Sequence, residues 1–246
     1  MATDLSIDCG NTRMKAAWFA GDELVDYLDL PYDELHLLDK ELAAKPVLRA
    51  MFSADGSHAD DVLAFVQPHC ATPVVTLDST TPLPLVVAYK TPATLGTDRI
   101  AAAVGAWVLR TGCNILVVDA GTAMTLDVVL ADGVYLGGRI SAGVAMRLEA
   151  LHEHTRLLPT VSVEGDTPFV GADTAACMRS GAIMGAAAEI DQLAAQLTAT
   201  VGRLAVVLTG GDADVLAQHL TTKGIIADKH LVLRGLNCLL NYTNDN

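Results

Sequence analysis

The sequence LSIDCGNTRMKAAWF, residues Leu5 to Phe19, consists of an apolar strand, a break at DCGN and a second apolar strand. Asp8 stands at the carboxyl end of the first strand, and Gly10 opens the turn that follows. A carboxylate and backbone amides at such a turn can hold a cation and the phosphate groups of a nucleotide. A simpler interpretation is a hairpin with a polar turn, since Asn and Gly are the commonest turn residues. This stretch alone leaves both interpretations open.

The same pattern of segments occurs a second time in the chain. Alternating apolar residues predict a three-stranded meander over Asp4 to Cys9, Arg13 to Phe19 and Glu23 to Leu30. The stretch NILVVDAGTAMTLDVVLADGVYLGGR, which begins at Asn114, has the same order of strand, acid, Gly turn, strand, turn and strand. Helices and strands are predicted to alternate after each meander.

One spacing relates the two copies. Three pairs of equivalent residues are each 111 positions apart: Asp8 and Asp119, Gly10 and Gly121, Ala20 and Ala131. Chance rarely reproduces one spacing through two successive turns, so we interpret the pattern as an internal repeat. The repeat predicts two domains, residues 1–112 and 113–246, with a cleft between them that receives one D-x-G turn from each.

Composition limits the function classes. The chain has 246 residues, of which 51% are hydrophobic and 18% charged, enough for a large buried core. Its net charge of −13 argues against partners such as nucleic acid or an anionic membrane surface, which need basic patches. Acids interrupt every long apolar run, so no signal peptide or membrane span is expected. Five scattered cysteines without a C-x-x-C pair predict reduced thiols, no structural zinc and a cytoplasmic location.

Two acids on equivalent turns suit a nucleoside triphosphate and its cation. Carboxylates of Asp8 and Asp119 can serve as hard oxygen ligands, while Gly and Thr residues of the turns contact phosphates. A third turn, TGGD at Thr209 to Asp212, has two glycines without side chains, so the sugar and base of a nucleotide can pack directly on its backbone. The sequence contains neither a P-loop nor a dinucleotide-binding glycine motif.

A further acid is predicted at the start of a helix. In TLGTDRIAAAVGAW, Asp98 and Arg99 follow Gly96 and fall in the first turn. Asp98 alone could be a charge that stabilises the helix dipole, but a cation is mildly unfavourable at that end. The pair therefore indicates a base beside an anion anchor.

Six ordered motifs resemble the type III pantothenate kinase family, a branch of the acetate and sugar kinase, Hsp70 and actin superfamily. They are DCGNTRMK at Asp8 to Lys15, GTDR at Gly96 to Arg99, DAGTAMT at Asp119 to Thr125, GGRISAG at Gly137 to Gly143, LHEHTRLLP at Leu151 to Pro159 and TGGDA at Thr209 to Ala213. The resemblance covers nearly the whole chain. It implies an α/β fold of duplicated actin-like (ribonuclease H-like) domains, each a β-meander followed by alternating helices and strands, with the active site in the cleft between them.

The resemblance also implies an activity and residue roles. The activity is ATP-dependent phosphorylation of pantothenate to 4'-phosphopantothenate, the first step of coenzyme A biosynthesis, by a homodimer. Asp98 is the implied catalytic base. The implied ATP contacts are Asp8, Cys9, Gly10, Asn11, Thr12, Arg13, Met14, Lys15 and Thr122. The implied pantothenate contacts are Tyr89, Gly96, Thr97, Asp98, Arg99 and Thr174.

The cation assignments remain open at this point. The resemblance gives Asp119 to a monovalent cation such as K⁺ or NH₄⁺, whereas reasoning from the residues gives it to the magnesium side of ATP, with Asp8 holding Mg²⁺ through the phosphates. Ala142 stands in the GGRISAG motif where the family usually has Pro, so that turn lacks one fixed φ angle.

Two alternative functions are compatible with the same fold. One is a kinase of the superfamily that acts on another small acceptor, such as a sugar, acetate or polyphosphate. The other is a non-catalytic regulatory or accessory protein. The presence of all three acids, Asp8, Asp98 and Asp119, favours catalysis, because a binding module would not require them.

Overall fold

The structure is a computed structural model that describes residues 3–54 and 58–245. Contacts between residues divide the chain into two compact units. The first unit contains the described residues up to Thr111, the short segment Gly133–Tyr135 and the described residues from His230 onward. The second contains Gly112–Asp132 and Leu136–Lys229.

A five-stranded sheet forms the centre of the first unit. Its strands are β1 (Thr3–Cys9), β2 (Arg13–Ala20), β3 (Glu23–Pro31), β4 (Val47–Ala54) and β5 (Val75–Thr76). They lie in the order β3-β2-β1-β4-β5, with antiparallel pairing in the meander and parallel pairing of β1 with β4 and β4 with β5. All seven residues of the central strand β1 are buried. Both faces of this strand are therefore covered, even though polar residues alternate with apolar ones along it.

Three helices follow the meander in the first unit: α1 (His36–Ala44), α2 (Ala59–Val66) and α3 (Thr97–Leu109). Short 3₁₀ turns cover Tyr32–Glu34, Gln67–His69 and Pro92–Thr94. The core joins the inner face of the sheet to α1 and α2 through side chains that include Leu5, Trp18, Leu38, Phe52 and Val62. The two-residue strand β6 (Val86–Val87) pairs in parallel with Val134 and Tyr135.

The second unit repeats this architecture. Its strands are β7 (Asn114–Ala120), β8 (Ala123–Val129), β9 (Val134–Ala142), whose first two residues group with the first unit, β10 (Leu204–Thr209) and β11 (Ile226–Ala227). They lie in the order β9-β8-β7-β10-β11, again with an antiparallel β7–β8 pair and parallel β7–β10 and β10–β11 pairs. Strand for strand, this is the order of the first sheet.

The strand bounds confirm the predicted repeat. β1 and β7, and likewise β3 and β9, begin and end 111 residues apart. The middle strands are out of step by one residue, since Cys9 pairs with Met14 in the first unit whereas Ala120 pairs with Met124 in the second. The second D-x-G turn is therefore one residue shorter than the first, and the following turn restores the spacing.

Helices α4 (Val144–Glu153), α5 (Thr174–Val201) and α6 (Ala213–Ala217) complete the second unit. The 28-residue helix α5 buries one side against the sheet, where Ile183 and Ile190 join the core. None of the helices within residues 3–54 and 58–245 is both long enough and apolar enough to cross a membrane.

The last helix, α7 (Leu231–Asp245), packs on α3 within the first unit. Two glycines allow the close approach: a Cβ atom on Gly235 would overlap the carbonyl oxygen of Ala101, and one on Gly105 would overlap that of Leu231. Because of its contacts, α7 belongs to the first unit. The repeat, in contrast, predicted a division between residues 112 and 113, with α7 in the second domain. That division remains a prediction about the extent of the duplicated domains.

We expect Gly235→Ala to destabilise the protein by about 1–3 kcal/mol, the usual cost of forcing an extra methyl group into a packed interface. Gly181 is a suitable control because it lies in the middle of α5 and a Cβ there meets nothing within 4 Å. Gly181→Ala should be neutral or stabilising by up to about 1 kcal/mol, since alanine has the higher helix propensity. Thermal melting of both variants measures the difference. Equal melting temperatures for the two variants would contradict the close α3–α7 contact.

Candidate active site

The first D-x-G turn connects β1 to β2 in the first unit. Asp8 lies at the end of β1, opposite Lys15 on antiparallel β2 and beside Ser53 on parallel β4. The N–H of Gly10 donates to the carbonyl of Arg13 at 3.1 Å and closes the turn. The side chains of Asn11 and Thr12 are exposed at its tip. Because opposite residues of antiparallel strands share a face, Asp8 and Lys15 form a neighbouring pair of opposite charges.

Two side chains of this turn belong to the core. Cys9 and Met14 are buried, so the backbone is the part of them that can reach a ligand. Burial raises the pKa of the Cys9 thiol to about 12, and the charge of Asp8 adds to the effect, although a hydrogen bond with Tyr32 opposes it. Cys9 is therefore a neutral thiol at pH 7. The hydroxyl of Tyr32 donates its proton to the carbonyl of Gly10 at 2.6 Å and so supports the turn.

Arg13 has a partner within its own sheet. Its Nε donates to Oδ1 of Asp29 at 2.6 Å, and its Nη2 donates to the Asp29 carbonyl at 3.0 Å. Both residues lie on the paired strands β2 and β3. In this structure the guanidinium of Arg13 thus fixes the edge of the meander.

The predicted acid at the helix start lies where Gly96 meets the first turn of α3. The Asp98 carboxylate accepts the N–H of Arg99 at 2.6 Å through its Oδ1. A Cβ on Gly96 would lie 2.5 Å from that same oxygen. A side chain at position 96 would therefore displace the carboxylate, which explains sterically why the GTDR motif begins with glycine.

Arg99 and Tyr89 meet beside this acid. Arg99 is only 6% exposed, and its guanidinium lies 5.8 Å from the centre of the Tyr89 ring. The Tyr89 ring in turn lies 6.4 Å from that of Tyr135. A cation held over an aromatic ring keeps a fixed orientation. The structure thus places Tyr89 beside Arg99, at the end of the Gly96 to Arg99 segment.

Ser53 was not found by sequence reasoning, yet it joins the two acidic elements of the first unit. Its fully buried hydroxyl lies 2.9 Å from the Thr97 hydroxyl, and its own strand position pairs with Asp8. The end of β1 and the start of α3 therefore share one edge of the sheet. No local pattern marks Ser53, because its partner is 44 residues away in sequence.

The second D-x-G turn connects β7 to β8 in the second unit. Asp119 is half-buried at the end of β7, next to Thr209 on parallel β10. Gly210 has a φ of 92°, and a Cβ there would lie 2.5 Å from Oδ1 of Asp119. The N–H of Asp212 donates to the carbonyl of Ala120 at 2.9 Å. The TGGD turn therefore packs directly on the strand end that carries Asp119.

A third turn, at the start of α4, packs on the same edge. The N–H of Gly143 donates to the carbonyl of Thr122 at 3.1 Å, and a Cβ on Gly143 would overlap the carbonyl oxygen of Gly121. Burial raises the pKa of Asp212, an effect that the nearby backbone amide of Val144 partly offsets. Three turns, from β7, β10 and α4, thus form one cluster in which Thr122 is exposed.

Thr174 lies on a different element of the second unit. It is the first residue of α5, behind Asp173, whose Oδ1 accepts the N–H of Ala176 at 2.8 Å and caps the helix. Its exposed side chain lines a cavity of about 540 Å³ together with Leu151 and Cys177. Asp119 and Thr122 are not among the residues that line this cavity.

The carboxylates fit a cation that is shared with phosphate. Within residues 3–54 and 58–245, no group of three or more His, Cys, Asp or Glu side chains is arranged to hold a metal ion alone. Mg²⁺ is commonly held by one or two carboxylates, with water and substrate phosphates as its other ligands. Asp8 and Asp119 each lie at a strand end beside a glycine turn, where each can supply one such carboxylate.

Comparisons with known proteins identify the family of the chain. The family model described as type III pantothenate kinase matches residues 4–196. The type III pantothenate kinase of Porphyromonas gingivalis strain W83 is 38% identical over 245 residues, which cover 98% of this chain and 99% of that protein.

Solved structures share the fold. A conserved protein from Campylobacter jejuni, described as a Baf family transcriptional activator, matches with a TM-score of 0.65 at 22% identity over 98% of this chain and all of that one. The inorganic polyphosphate/ATP-glucomannokinase of Arthrobacter sp. strain KM matches with a TM-score of 0.51 at 14% identity, over 98% of this chain and 99% of that one. These likenesses confirm the predicted fold of duplicated actin-like domains. With the family model matched over most of its length, the chain belongs to the type III pantothenate kinase family.

Proposed function

We infer that this chain is an enzyme, a pantothenate kinase that uses ATP to phosphorylate the terminal hydroxyl of pantothenate in coenzyme A biosynthesis. Family membership supports the activity. One structural observation carries the mechanism: the carboxylate of Asp98, at the start of α3, accepts the Arg99 N–H and occupies space that a side chain at Gly96 would fill. A carboxylate kept in one orientation is what a general base requires.

Asp98 is proposed to accept the proton of the pantothenate hydroxyl. The hydroxyl oxygen forms a bond to the γ-phosphorus of ATP, the bond to the β–γ bridging oxygen breaks, and ADP leaves. Phosphoryl transfer depends mainly on positioning and on charge neutralisation, so the carboxylate orients the hydroxyl first and takes its proton late.

Arg99 and Tyr89 are proposed to bind the acceptor. Pantothenate carries a carboxylate, and a guanidinium is the side chain best suited to bind one. The ring of Tyr89 and the low exposure of Arg99 support a fixed orientation for that guanidinium. Thr97, tied to Ser53, and Thr174 are proposed to complete the pantothenate contacts.

ATP is proposed to contact the turn from Asp8 to Lys15 and Thr122. Asn11, Thr12 and Thr122 are exposed, which supports direct contacts to phosphate oxygens. Cys9 and Met14 would contribute backbone, since their side chains are buried, and Arg13 would have to leave Asp29 to contribute its side chain. Mg²⁺, when bound, neutralises the charge on the phosphates; Asp8 would hold it through them, and Asp119 would hold a monovalent cation.

The alternatives have less support. Family membership favours pantothenate over another acceptor for the same fold. A non-catalytic regulator would not require Asp98 to be held at a glycine that leaves room for its carboxylate. Assay with ATP and, in turn, pantothenate, glucose or acetate distinguishes the three functions. Turnover with another acceptor, or ATP binding without any turnover, would replace the present proposal.

A homodimer is also proposed. Three large apolar side chains close to Thr174 in sequence, Leu157, Phe169 and Val170, are 88%, 86% and 76% exposed. Apolar surface of this kind is typical of an interface, and a second copy of the chain would cover it. We further propose a cytoplasmic location, because all five cysteines are free thiols and a reducing compartment preserves them.

We expect Asp98→Asn to lower kcat by on the order of 10²-fold or more, the usual effect of losing a general base. The amide oxygen of Asn can still accept the Arg99 N–H, so ATP affinity measured by calorimetry should stay near that of the unchanged protein. Arg99→Ala should instead raise the KM for pantothenate more than it lowers kcat.

Asp60→Asn is the matched control, because Asp60 is an exposed acid in the first turn of α2 and lies outside the proposed site. It should leave turnover unchanged. Near-normal kcat for Asp98→Asn would mean that Asp98 is only a helix-start charge like Asp60.

Activity should require Mg²⁺ and should rise when K⁺ or NH₄⁺ replaces Na⁺, because K⁺ or NH₄⁺ is the monovalent cation proposed at Asp119. Asp119→Asn should remove that preference and leave the Mg²⁺ requirement intact. Steady-state rates in buffers of each cation measure the effect. Equal rates in Na⁺ and K⁺ would contradict the proposed monovalent site. A weaker Mg²⁺ requirement in Asp119→Asn would indicate that Asp119 binds Mg²⁺ instead.

Light scattering should give a mass about twice the 25.8 kDa of one chain. Phe169→Asp should shift the protein towards monomer and reduce turnover, since a buried charge at an interface is strongly unfavourable. Val25→Asp, at a position 55% exposed in the first unit, should leave the dimer intact. A fully active monomer would refute the assembly.

A further inference from the structure

A polar network in the second unit joins α4 and α5 to the end of β9. Arg147 on α4 donates through Nη2 to Oε2 of Glu189 on α5 at 2.7 Å and to Oγ of Ser141 at 2.9 Å. The Ser141 hydroxyl itself donates to Glu189 at 3.0 Å. The side chains of Arg147 and Glu189 are only 22% and 25% exposed, so solvent screens this ion pair weakly.

The same arginine also holds the backbone that follows Ser141. Its Nε donates to the carbonyl of Ala142 at 2.8 Å. The next residue, Gly143, donates its N–H to the carbonyl of Thr122 at 3.1 Å. Continuous hydrogen bonding and one peptide unit therefore connect Glu189 on the long helix to the turn that carries Thr122.

We propose that Arg147 is a positioning residue for ATP binding: it holds the Ser141 to Gly143 backbone in place, and that backbone holds the Thr122 turn. The inference rests on the proposed contact between Thr122 and ATP. Gly143 has no room for a side chain against Gly121, so the two backbones pack in close contact there. Arg147 restrains the Ala142 carbonyl one residue before that contact.

The geometry requires arginine. One guanidinium reaches a backbone carbonyl through Nε and, through Nη2, a hydroxyl and a carboxylate, which a single ammonium cannot reproduce. The guanidinium packs against α5, where a Cβ on Gly185 would lie 3.6 Å from Nη1, an ordinary van der Waals distance. Lysine at position 147 would keep the charge and much of the packing but lose the planar guanidinium that makes these three hydrogen bonds at once.

The test measures Mg-ATP binding by calorimetry without pantothenate, together with the KM for pantothenate. Arg147→Lys should weaken ATP binding by about tenfold, the factor that corresponds to one lost charge-assisted hydrogen bond, and should leave the KM for pantothenate unchanged. Glu189→Gln should give a smaller loss in the same direction. Arg139→Ala is the matched control, because Arg139 on β9 also bonds to α5, through Gln196 at 3.4 Å, but does not hold the Ala142 carbonyl. It should leave both parameters unchanged.

Thr122→Ala separates this inference from the assignment of Thr122. If Thr122→Ala weakens ATP binding and Arg147→Lys does not, the contact with ATP stands and the positioning role is overturned. If neither variant changes ATP binding, the proposed contact of this turn with ATP fails. If Arg147→Lys impairs ATP and pantothenate equally, Arg147 is a general structural residue and the inference is wrong. Melting curves confirm that each variant is folded, and Glu189→Gln carries the test if Arg147→Lys does not fold.

Discussion

Parallel pairing of the central strand with the strand that follows the meander is the constraint on which both candidate clusters depend. Asp8 and Ser53 lie side by side at the carboxyl ends of paired strands in the first unit, and Asp119 and Thr209 do so in the second. Parallel strands present their carboxyl ends at one edge of a sheet, so residues far apart in sequence become neighbours there. The next elements then start from that edge: α3 through the Ser53–Thr97 contact, and α6 through the TGGD turn.

Glycines let the turns at these edges approach closely. At Gly96, Gly143 and Gly210, a Cβ would meet an acid or a backbone carbonyl at 2.5 Å or less. Gly143 and Gly210 therefore allow one turn to rest on another, with hydrogen bonds between the turns, and Gly96 leaves room for the Asp98 carboxylate. The result is a set of polar groups with little freedom to reorganise. Such preorganisation is the main contribution that a protein can make to phosphoryl transfer.

Burial divides the residues of the first turn by role. Cys9 and Met14 anchor the turn in the core, and the raised pKa of Cys9 keeps that anchor neutral. Asn11 and Thr12 remain at the surface, where a phosphate can reach them. A continuous motif of eight residues thus contains both a buried part and an exposed part, because strand residues such as Cys9 and Met14 pack in the core while the tip of the turn projects from the sheet.

The sequence by itself determined the repeat, the family and the positions of the acids. Strand periodicity, glycine turns and a constant spacing of 111 residues can all be read directly from the order of residues along the chain. Only the tertiary structure decided which residues support those acids. Ser53 meets Thr97, Arg147 meets Glu189 and α7 returns to pack on α3, contacts made across long stretches of chain. No local pattern encodes such pairs, since they arise when separate elements pack and must satisfy the polar groups that packing buries.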